Sequence, residues 1–222
     1  MEKFLEKVRK DYSESSLFND EPPLEPFSLF SSWLSDALSL STGPDKIILE
    51  PNAMALATST KDGIPSVRFV LLKDFNEAGF SFFTNTESQK GQEINENPRV
   101  ALAIYWEPLE RQVRISGSVS KLSREDSESY FRKRPLGAQV AASISKQSIP
   151  LDSIDDFRAR FFEEERDTIL NSKTVPFPEN WGGYRVSPEM IEFWKGRTSR
   201  VHERLRYKKD KSGVWSWEWL QP

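Results

Sequence analysis

The segment RVHERLR, residues 200–206, contains the side chains best suited to chemistry in this chain. In a β-strand every second residue faces the same way, so one face would carry Arg200, His202, Arg204 and Arg206. A guanidinium group matches the oxygens of a phosphate bidentately, which makes such a face suitable for a phosphate-bearing ligand. The same charges also protect an exposed edge strand from pairing, and the segment alone leaves both interpretations open.

A second candidate is the segment RFVLLKDFNEAGFSFFTN, residues 68–85. Its β-branched and aromatic residues predict two strands, Arg68 to Lys73 and Phe80 to Asn85, joined by a polar turn that ends at Gly79. Cationic and hydrogen-bonding groups stand at the strand ends, so the hairpin is either a solvated edge or a cradle for an anion. Arg68 and Lys73 are separated by an odd number of residues. A regular strand would therefore direct them to opposite faces, and they serve one pocket only if the strand bulges or ends before Lys73.

Four further polar or aromatic groups stand in patterned segments. Gln112 lies in an alternating strand, where it either reads the edge of a heteroaromatic ring or faces solvent. Tyr130 and Arg134 are four residues apart on a predicted helix and share a face, so they contact one ligand or one another. Trp194 is an aromatic wall or a core residue.

Composition excludes several classes of site. The chain has no cysteine and one histidine, so disulfides, thiolate nucleophiles and multi-histidine metal centres are excluded, and we expect no metal. There is no G-x-G, no P-loop and no HExxH motif, so side chains must hold most of any phosphate. A Ser-His-Asp hydrolase would need His202 and lacks the GxSxG elbow.

Charge and hydropathy indicate a soluble globular protein. The net charge is −3 and the pI is about 5.5, which argues against nucleic acid as a partner, although eight of the 31 basic residues lie between Lys195 and Lys211. No apolar run approaches the roughly 20 residues that cross a bilayer, so no membrane association is expected. The charged amino terminus lacks a secretory signal, and we expect a cytoplasmic protein.

The periodicity of the hydrophobic residues assigns these candidate residues to helices and strands. A short helix is predicted for residues 2–12, a linker for 13–26, and a core-packing helix from Phe27. Period 2 then predicts strands at 53–60, from 64, at 99–106 and at 111–120, with an Asp-Gly turn at 61–63. The strands from 53 to 85 would form a four-stranded antiparallel meander. Helices are predicted at 88–97, 123–134 and about 152–170, and about four late strands complete an antiparallel barrel. We therefore expect residues 1–26 to be a helix and linker and residues 27–222 to be a single domain.

Ten motifs stand in the order and approximate spacing of one family: RFVLLK, FTN, S-Q-K, NPRVAL, W-x-x-L-E-R-Q-V-R, Y-F-x-x-R-P, S-K-Q-S, WGGYRV, IEFW-x-G and R-V-H-E-R. In this the chain resembles the pyridoxamine 5′-phosphate oxidase family, from about Arg9 to its last residue. The resemblance implies a mainly β fold with flanking helices, an FMN-binding split β-barrel, and a homodimer with FMN at the subunit interface. It also implies FMN-dependent oxidation of pyridoxamine or pyridoxine 5′-phosphate to pyridoxal 5′-phosphate, with O2 reduced to H2O2.

The resemblance also implies roles for individual residues. Those matching flavin-contacting positions are Arg68, Phe69, Val70, Leu71, Leu72, Lys73, Thr84, Ser88, Lys90, Gln112, Gln147, Ser148, Trp194 and Arg204. Those matching substrate contacts are Lys73, Tyr130, Arg134, Arg200 and His202, and the last two are expected nearest the reacting carbon as the catalytic pair. Arg9 and Tyr12 match an amino-terminal segment that covers the site.

Several positions depart from the family pattern. Gln89 stands where an arginine is common, Ala138 where a serine commonly meets substrate phosphate, Leu136 where an arginine is frequent, and Glu203 where aspartate is usual. Phe83 and Ser143 replace a tyrosine and a tryptophan. These departures leave two alternatives open: a split-barrel FMN oxidoreductase with another substrate, or a non-enzymatic protein that binds FMN or pyridoxal phosphate.

Overall fold

The structure, a computed structural model, describes residues 12–14, 16–17 and 21–222. The helix expected at residues 2–12 falls almost wholly outside these residues, as does Arg9. The described helices are α1 (Pro26–Ser39), α2 (Gln89–Glu96), α3 (Arg124–Arg132), α4 (Leu136–Ile144) and α5 (Ile154–Leu170). The described strands are β1 (Ala53–Ser59), β2 (Pro65–Leu71), β3 (Asp74–Asn76), β4 (Gly79–Asn85), β5 (Arg99–Trp106), β6 (Arg111–Lys121), β7 (Trp181–Lys195), β8 (Glu203–Lys209) and β9 (Trp215–Leu220). Short 3-10 turns stand at Glu107–Leu109 and Thr198–Arg200. Across this part of the chain no helix is long and apolar enough to cross a membrane.

The nine strands of the described residues belong to one sheet. Its main path runs β2-β1-β5-β6-β7-β4-β3, and β8 and β9 continue from β7. The strand pairs β3–β4, β4–β7, β7–β8 and β8–β9 are antiparallel. The expectation of a mainly β fold with flanking helices is confirmed.

The chain forms two compact units. Unit 1 comprises the described part of Met1–Leu56 together with Ala101–Gly117 and Pro188–Pro222, and unit 2 comprises Ala57–Val100 and Ser118–Ser187. Strands β1, β5, β6 and β7 each contribute residues to both units. The division into residues 1–26 and a single domain of 27–222 stays a prediction.

The core of unit 1 forms where α1 buries its apolar face. Glu25 caps the helix by accepting the backbone N–H of Phe27 at 2.8 Å, and Phe30 and Trp33 are almost fully buried. The Trp33 ring meets Phe193 edge to face at a centroid distance of 5.2 Å. The apolar spacing therefore predicted this helix correctly, because its face has period 3.6 throughout.

The core of unit 2 places the segments that carry the site. Phe82 of β4 stacks on Tyr184 of β7 at 5.6 Å, and both are fully buried. Gly79 begins β4 with φ +136°, and a Cβ there would lie 2.0 Å from the Val186 carbonyl oxygen. This close approach requires glycine at the β3–β4 turn.

The predicted hairpin and meander are wrong. β2 ends at Leu71, and the short strand β3 pairs with β4 instead, so that β2 and β4 are far apart in the sheet order. The other neighbour of β4 is β7, which is distant in sequence. Strand β7 lies beside β4, where the prediction placed β2 because it is close in sequence.

Two predictions about the late strands are also wrong. WGGYRV and MIEFW form the single strand β7, so three late strands replace the expected four. Strand β8 begins only at Glu203, so Arg200 and His202 precede it and do not share a strand face with Arg204.

Candidate functional site

A cavity of about 670 Å³ lies within unit 2. This volume is within the range of roughly 300–1,000 Å³ that is usual for small-molecule sites. Polar lining comes from the end of β4, the start of α2 and the segment after α4, whereas α4 contributes the small residues Ala138, Ala141 and Ala142. The cavity thus has a polar side and an apolar side, which suits a ligand that combines a flat ring with an anionic group.

The charged residues that line the cavity are all cationic. They are Lys73, Lys90, Lys133 and Arg134, and no aspartate or glutamate is among the lining residues. Lys133 makes no ion pair with another described residue and was not predicted as a site residue. Four cations without a lining carboxylate favour an anionic ligand.

Arg134 has a buried hydrogen-bonding atom without a partner. Among the described residues nothing accepts a hydrogen bond from its Nη1 atom. The guanidinium lies 4.8 Å from the Trp181 ring centroid and 5.8 Å from that of Phe131, and burial lowers the pKa of Arg134, with the Tyr130 hydroxyl opposing that effect. A buried donor without an acceptor is costly, so the atom is placed to bind something from outside the chain.

Stacked aromatic rings form one wall beside these cations. The Tyr130 ring stacks on Phe83 at 4.1 Å, and Phe83 stacks on Trp181 at 5.4 Å. Lys73 Nζ lies 6.0 Å from the Tyr130 ring centroid. The helix expected from Ser123 supplies this tyrosine, and Ser123 Oγ caps it by accepting the N–H of Asp126 at 2.9 Å. Cations and ring faces are therefore presented together.

Lys90, at the first turn of α2, is held by neutral acceptors. Its Nζ atom donates to Gln147 Oε1 at 2.8 Å and to the hydroxyls of Thr84 and Ser88 at 3.2 Å each. Burial lowers the pKa of Lys90 to about 8, with a contribution from the charge of Arg68, while Glu93 opposes the shift. An anion placed against this ammonium would restore the charged form.

Arg68 does not line the cavity and is instead bonded to neighbouring side chains. Its Nη2 atom lies 3.2 Å from Glu93 Oε2, and its Nη1 atom donates to Thr58 Oγ1. Leu72 and Ser88 are buried, and Ser148, with φ +73°, accepts the backbone N–H of Gln89 at 3.2 Å. These predicted residues are not among those that line the cavity.

Lys73 lies beyond the end of β2 and lines the cavity. The strand stops at Leu71, and the Lys73 backbone N–H donates to the Ser81 carbonyl at 2.9 Å. The alternation of a regular strand therefore no longer governs the direction of its side chain. The strand thus ends before Lys73, which is one of the two conditions for Arg68 and Lys73 to serve one pocket, but of the two only Lys73 lines this cavity.

The remaining predicted residues lie in unit 1, where three rings cluster. The Tyr12 ring meets Trp194 at 5.7 Å and His202 at 5.3 Å, both nearly perpendicular, and Trp194 lies 4.8 Å from His202. A Cβ on Gly196 would lie 2.3 Å from the Tyr12 ring, so only glycine admits this packing.

The hydrogen bond to His202 determines which ring nitrogen carries the proton. The backbone N–H of Arg197 donates to Nδ1 at 3.1 Å, so the neutral ring carries its proton on Nε2. Burial lowers the pKa of His202, and the charge of Arg200 lowers it further. Ser199 and Arg200 both have positive φ, 54° and 60°, and strained backbone of this kind is concentrated at functional sites.

Arg204 is bonded to a carboxylate that the sequence patterns did not single out. Its Nε and Nη2 atoms lie 2.9 and 2.7 Å from Glu192 Oε1, and Glu192 is buried. Gln112 is half-buried at the start of β6. The structure thus divides the predicted site residues between two groups, one in each unit.

The cavity also contains residues that were not predicted. Besides Lys133, they include Phe83, Asn85, Ser145, Phe157 and Trp181. The adjacency of Lys133 to Arg134 was a signal for one of them. Trp181 gave no such signal, because a tryptophan at the start of a strand is as frequent in a hydrophobic core as in a binding site.

Two family models match this chain. The model described as pyridoxamine 5′-phosphate oxidase matches residues 45–165, more than half of the chain. The chain belongs to the pyridoxamine 5′-phosphate oxidase family. A second model of that family, described as the pyridoxine 5′-phosphate oxidase C-terminal dimerisation region, matches residues 181–222.

Curated members of the family are similar over their full length. A pyridoxine/pyridoxamine 5′-phosphate oxidase of Bordetella petrii is 44% identical over 221 residues, covering 97% of this chain and 98% of the relative. Another, from Nostoc punctiforme, is 45% identical over 222 residues and covers 100% of both.

Solved structures show the same fold. PhzG from Burkholderia lata 383, in complex with tetrahydrophenazine-1-carboxylic acid, has a TM-score of 0.85 at 32% identity and covers 95% of this chain and 100% of its own. A pyridoxamine 5′-phosphate oxidase-related FMN-binding protein from Nostoc punctiforme PCC 73102 has a TM-score of 0.68 at 18% identity, covering 87% and 97%. The expected split β-barrel fold is confirmed.

Proposed function

We propose that this chain oxidises pyridoxamine or pyridoxine 5′-phosphate to pyridoxal 5′-phosphate, with FMN as cofactor and O2 reduced to H2O2. The observation that carries the proposal is the cavity of unit 2, which combines four lining cations, no lining carboxylate and the buried, unpartnered Nη1 atom of Arg134. Family membership gives this anion site its chemical context. A homodimer, which the match to the dimerisation region supports, would be the functional form.

The residues present fit FMN. Lys90 would bind its phosphate, with Arg68 beside it. Gln147 and Thr84 would fix the Lys90 ammonium, and because both are neutral they add no negative charge to compete with the phosphate. The start of α2 adds the partial positive charge of a helix amino terminus. Phe69, Val70 and Leu71 would flank the ring system, and Leu72, Ser88 and Ser148 would support them. Gln112, Trp194 and Arg204 are proposed as further flavin contacts.

The substrate would bind through a different set of cations. Arg134 and Lys73, with the hydroxyl of Tyr130, would hold the substrate phosphate, and Lys133 extends this group. The rings of Trp181 and Phe131 keep Arg134 in place. Two phosphates would therefore meet two groups of cations, one formed by Lys90 and Arg68 and one formed by Lys73, Lys133 and Arg134.

Arg200 and His202 are proposed as the catalytic pair over the substrate ring. The chemistry that FMN would supply when bound is acceptance of a hydride from the substrate C4′ carbon and transfer of two electrons, with protons, to O2. With pyridoxamine phosphate, water would supply the aldehyde oxygen while the nitrogen leaves as ammonia. His202 would orient the ring as a neutral donor from Nε2, since its Nδ1 already accepts the Arg197 N–H. Arg200 would hold the pyridine hydroxyl as its anion. Tyr12, and with it Arg9, would cover the site.

A second candidate is an FMN oxidoreductase that acts on a larger flat anion. The 32% identity to PhzG and the small residues Ala138, Ala141 and Ala142 along α4 favour it. Leu136 and Ala138 also stand where the family commonly has polar groups. This candidate predicts FMN binding without turnover of either vitamer phosphate.

The test is reconstitution of purified protein with FMN, followed by assay of pyridoxal phosphate and H2O2. We expect equimolar products from pyridoxamine phosphate, and loss of turnover at low substrate concentration in Arg134→Met. Protein that binds FMN but forms neither product would favour the second candidate. Protein that cannot be reconstituted with FMN would exclude both.

A further inference from the structure

Glu93 is a buried carboxylate at the centre of a hydrogen-bond network behind the cavity. Only 7% of its side chain is exposed. It accepts hydrogen bonds from Ser66 Oγ, Gln89 Nε2 at 2.9 Å, Arg68 Nη2 at 3.2 Å and Thr58 Oγ1. Burial alone would raise the pKa of Glu93, but these four donors outweigh it and lower the pKa to about 2. The carboxylate is therefore ionised near neutral pH.

The network fixes the orientation of Arg68. Thr58 Oγ1 accepts from Arg68 Nη1 while donating to Glu93, so the guanidinium is held at both of its terminal nitrogens. The Arg68 side chain nevertheless keeps 21% of its surface exposed. A planar fork fixed in this way loses little conformational entropy when it binds a phosphate.

The charges in the network favour Arg68 in particular. Gln89, which stands where the family commonly has arginine, is neutral, so among the described residues Arg68 is the cation that pairs with Glu93. Arg68 is close enough to Lys90 for its charge to lower the lysine pKa, and Glu93 opposes that effect. The negative charge of Glu93 thus offsets the repulsion between Arg68 and Lys90, so these two cations can lie close together before a phosphate binds.

We propose that Glu93 is a positioning residue of the flavin site, whose carboxylate fixes Arg68 so that its guanidinium and Lys90 together receive the FMN phosphate. The inference rests on the proposed function, since it takes FMN as the ligand. Glu93 itself touches no ligand and acts through Arg68. Its effect is therefore confined to the phosphate end of the cofactor.

The test compares FMN with riboflavin, which lacks the phosphate, by quenching of flavin fluorescence on titration into apoprotein. In Glu93→Gln we expect the dissociation constant for FMN to rise by about tenfold or more, the usual effect of losing a charge-assisted contact. Affinity for riboflavin should stay within about twofold of the wild type. Equal weakening of both flavins would indicate a merely structural role, and unchanged or tighter FMN binding would also overturn the proposal.

Two further variants guard against misfolding and local disturbance. Thr58→Val keeps the shape of the side chain while removing the hydroxyl that joins Arg68 to Glu93, so a smaller loss confined to FMN is expected. Glu96→Gln removes an exposed carboxylate from the same helix and should leave both affinities unchanged. A loss in Glu96→Gln equal to that in Glu93→Gln would show that helix charge alone explains the effect.

A double-mutant cycle with Arg68→Ala tests whether the two residues act as one. We expect the double variant to bind FMN no more weakly than Arg68→Ala alone, because the guanidinium that Glu93 fixes is then already absent. Additive losses would contradict action through Arg68. The outcomes separate the two proposals: failure of the wild type to bind FMN sinks the proposed function, whereas FMN binding that ignores Glu93 sinks only this inference.

Discussion

The Nζ atom of Lys90 lies 2.8 Å from Oε1 of Gln147, a residue 57 positions further along the chain. This bond joins the first turn of α2 to the segment that follows α4. Thr84 completes the group by donating to the same amide oxygen at 3.2 Å. The end of β4, the start of α2 and the distant segment after α4 thus hold one buried ammonium that lines the cavity.

The lowered pKa of Lys90 predicts a pH-dependent affinity for FMN. The bound phosphate favours the ammonium, so affinity should be full below pH 8 and should fall as pH rises above about 8. Riboflavin affinity should not show this fall, and Lys90→Met should remove it. Fluorescence titrations between about pH 7 and 9.5 measure the effect. An FMN affinity that is constant to the upper end of that range would show that Lys90 does not contact the phosphate.

Replacing Arg134 should weaken substrate binding without lowering the stability of the ligand-free protein. Replacing it by Met removes the unpartnered Nη1 atom but keeps an extended side chain over Trp181, so the free energy of unfolding without ligand should be unchanged or higher. The KM for pyridoxamine phosphate should rise by about tenfold or more through the lost phosphate contact. Chemical denaturation and steady-state kinetics report the two quantities. A variant that is less stable yet has an ordinary KM would assign Arg134 a structural role.

His202 is the one histidine of the chain, so its ring nitrogen signals are assigned without ambiguity in an NMR titration. We expect the neutral ring to carry its proton on Nε2, because Nδ1 accepts the Arg197 N–H. The titration midpoint should lie below the ordinary value of 6.5, since burial and Arg200 both oppose the charged form. A proton on Nδ1, or a midpoint above 6.5, would contradict this geometry.

Tyr184 and Tyr207 form a matched pair for stability. Both are fully buried, but within the described residues the Tyr184 hydroxyl has no partner, whereas the Tyr207 hydroxyl donates to the Pro23 carbonyl at 2.9 Å. Tyr184→Phe should therefore raise the free energy of unfolding by about 1 kcal/mol, and Tyr207→Phe should lower it by a similar amount. Urea denaturation measures both. Equal destabilisation by the two substitutions would mean that the Tyr184 hydroxyl is bonded in solution.

Local patterns predicted the elements that depend on local causes. The turn at Asp62-Gly63 forms as expected, with Gly63 at φ +84° and its N–H donating to the Thr60 carbonyl. The prediction divided β7 into two strands, WGGYRV and MIEFW, with Pro188 between them, and a proline removes a ladder donor. Pro188 lies between the residues that pair with β4, which end at Val186, and those that pair with β8, which begin at Met190. Neither ladder needs its missing N–H.

Only part of the site was predicted, because some of its residues stand in a recognisable sequence pattern and others do not. Their four-residue spacing placed Tyr130 and Arg134 on one helix face, but the helix ends at Arg132, two residues before Arg134; both residues nevertheless line the cavity. Glu93 gave no signal, since a glutamate in a polar helix is ordinarily exposed, and only the fold brings Thr58 and Ser66 to it. Arg200 and His202 were placed on a strand by alternation, but the positive φ of Ser199 and Arg200 ends that regularity.

The most direct test of the proposed function is anaerobic titration of the FMN-reconstituted protein with pyridoxamine phosphate. We expect the visible absorbance of the oxidised flavin to bleach in proportion to added substrate and to return when O2 is admitted, with one pyridoxal phosphate formed per flavin reduced. Flavin that stays oxidised in the presence of saturating substrate would contradict the account.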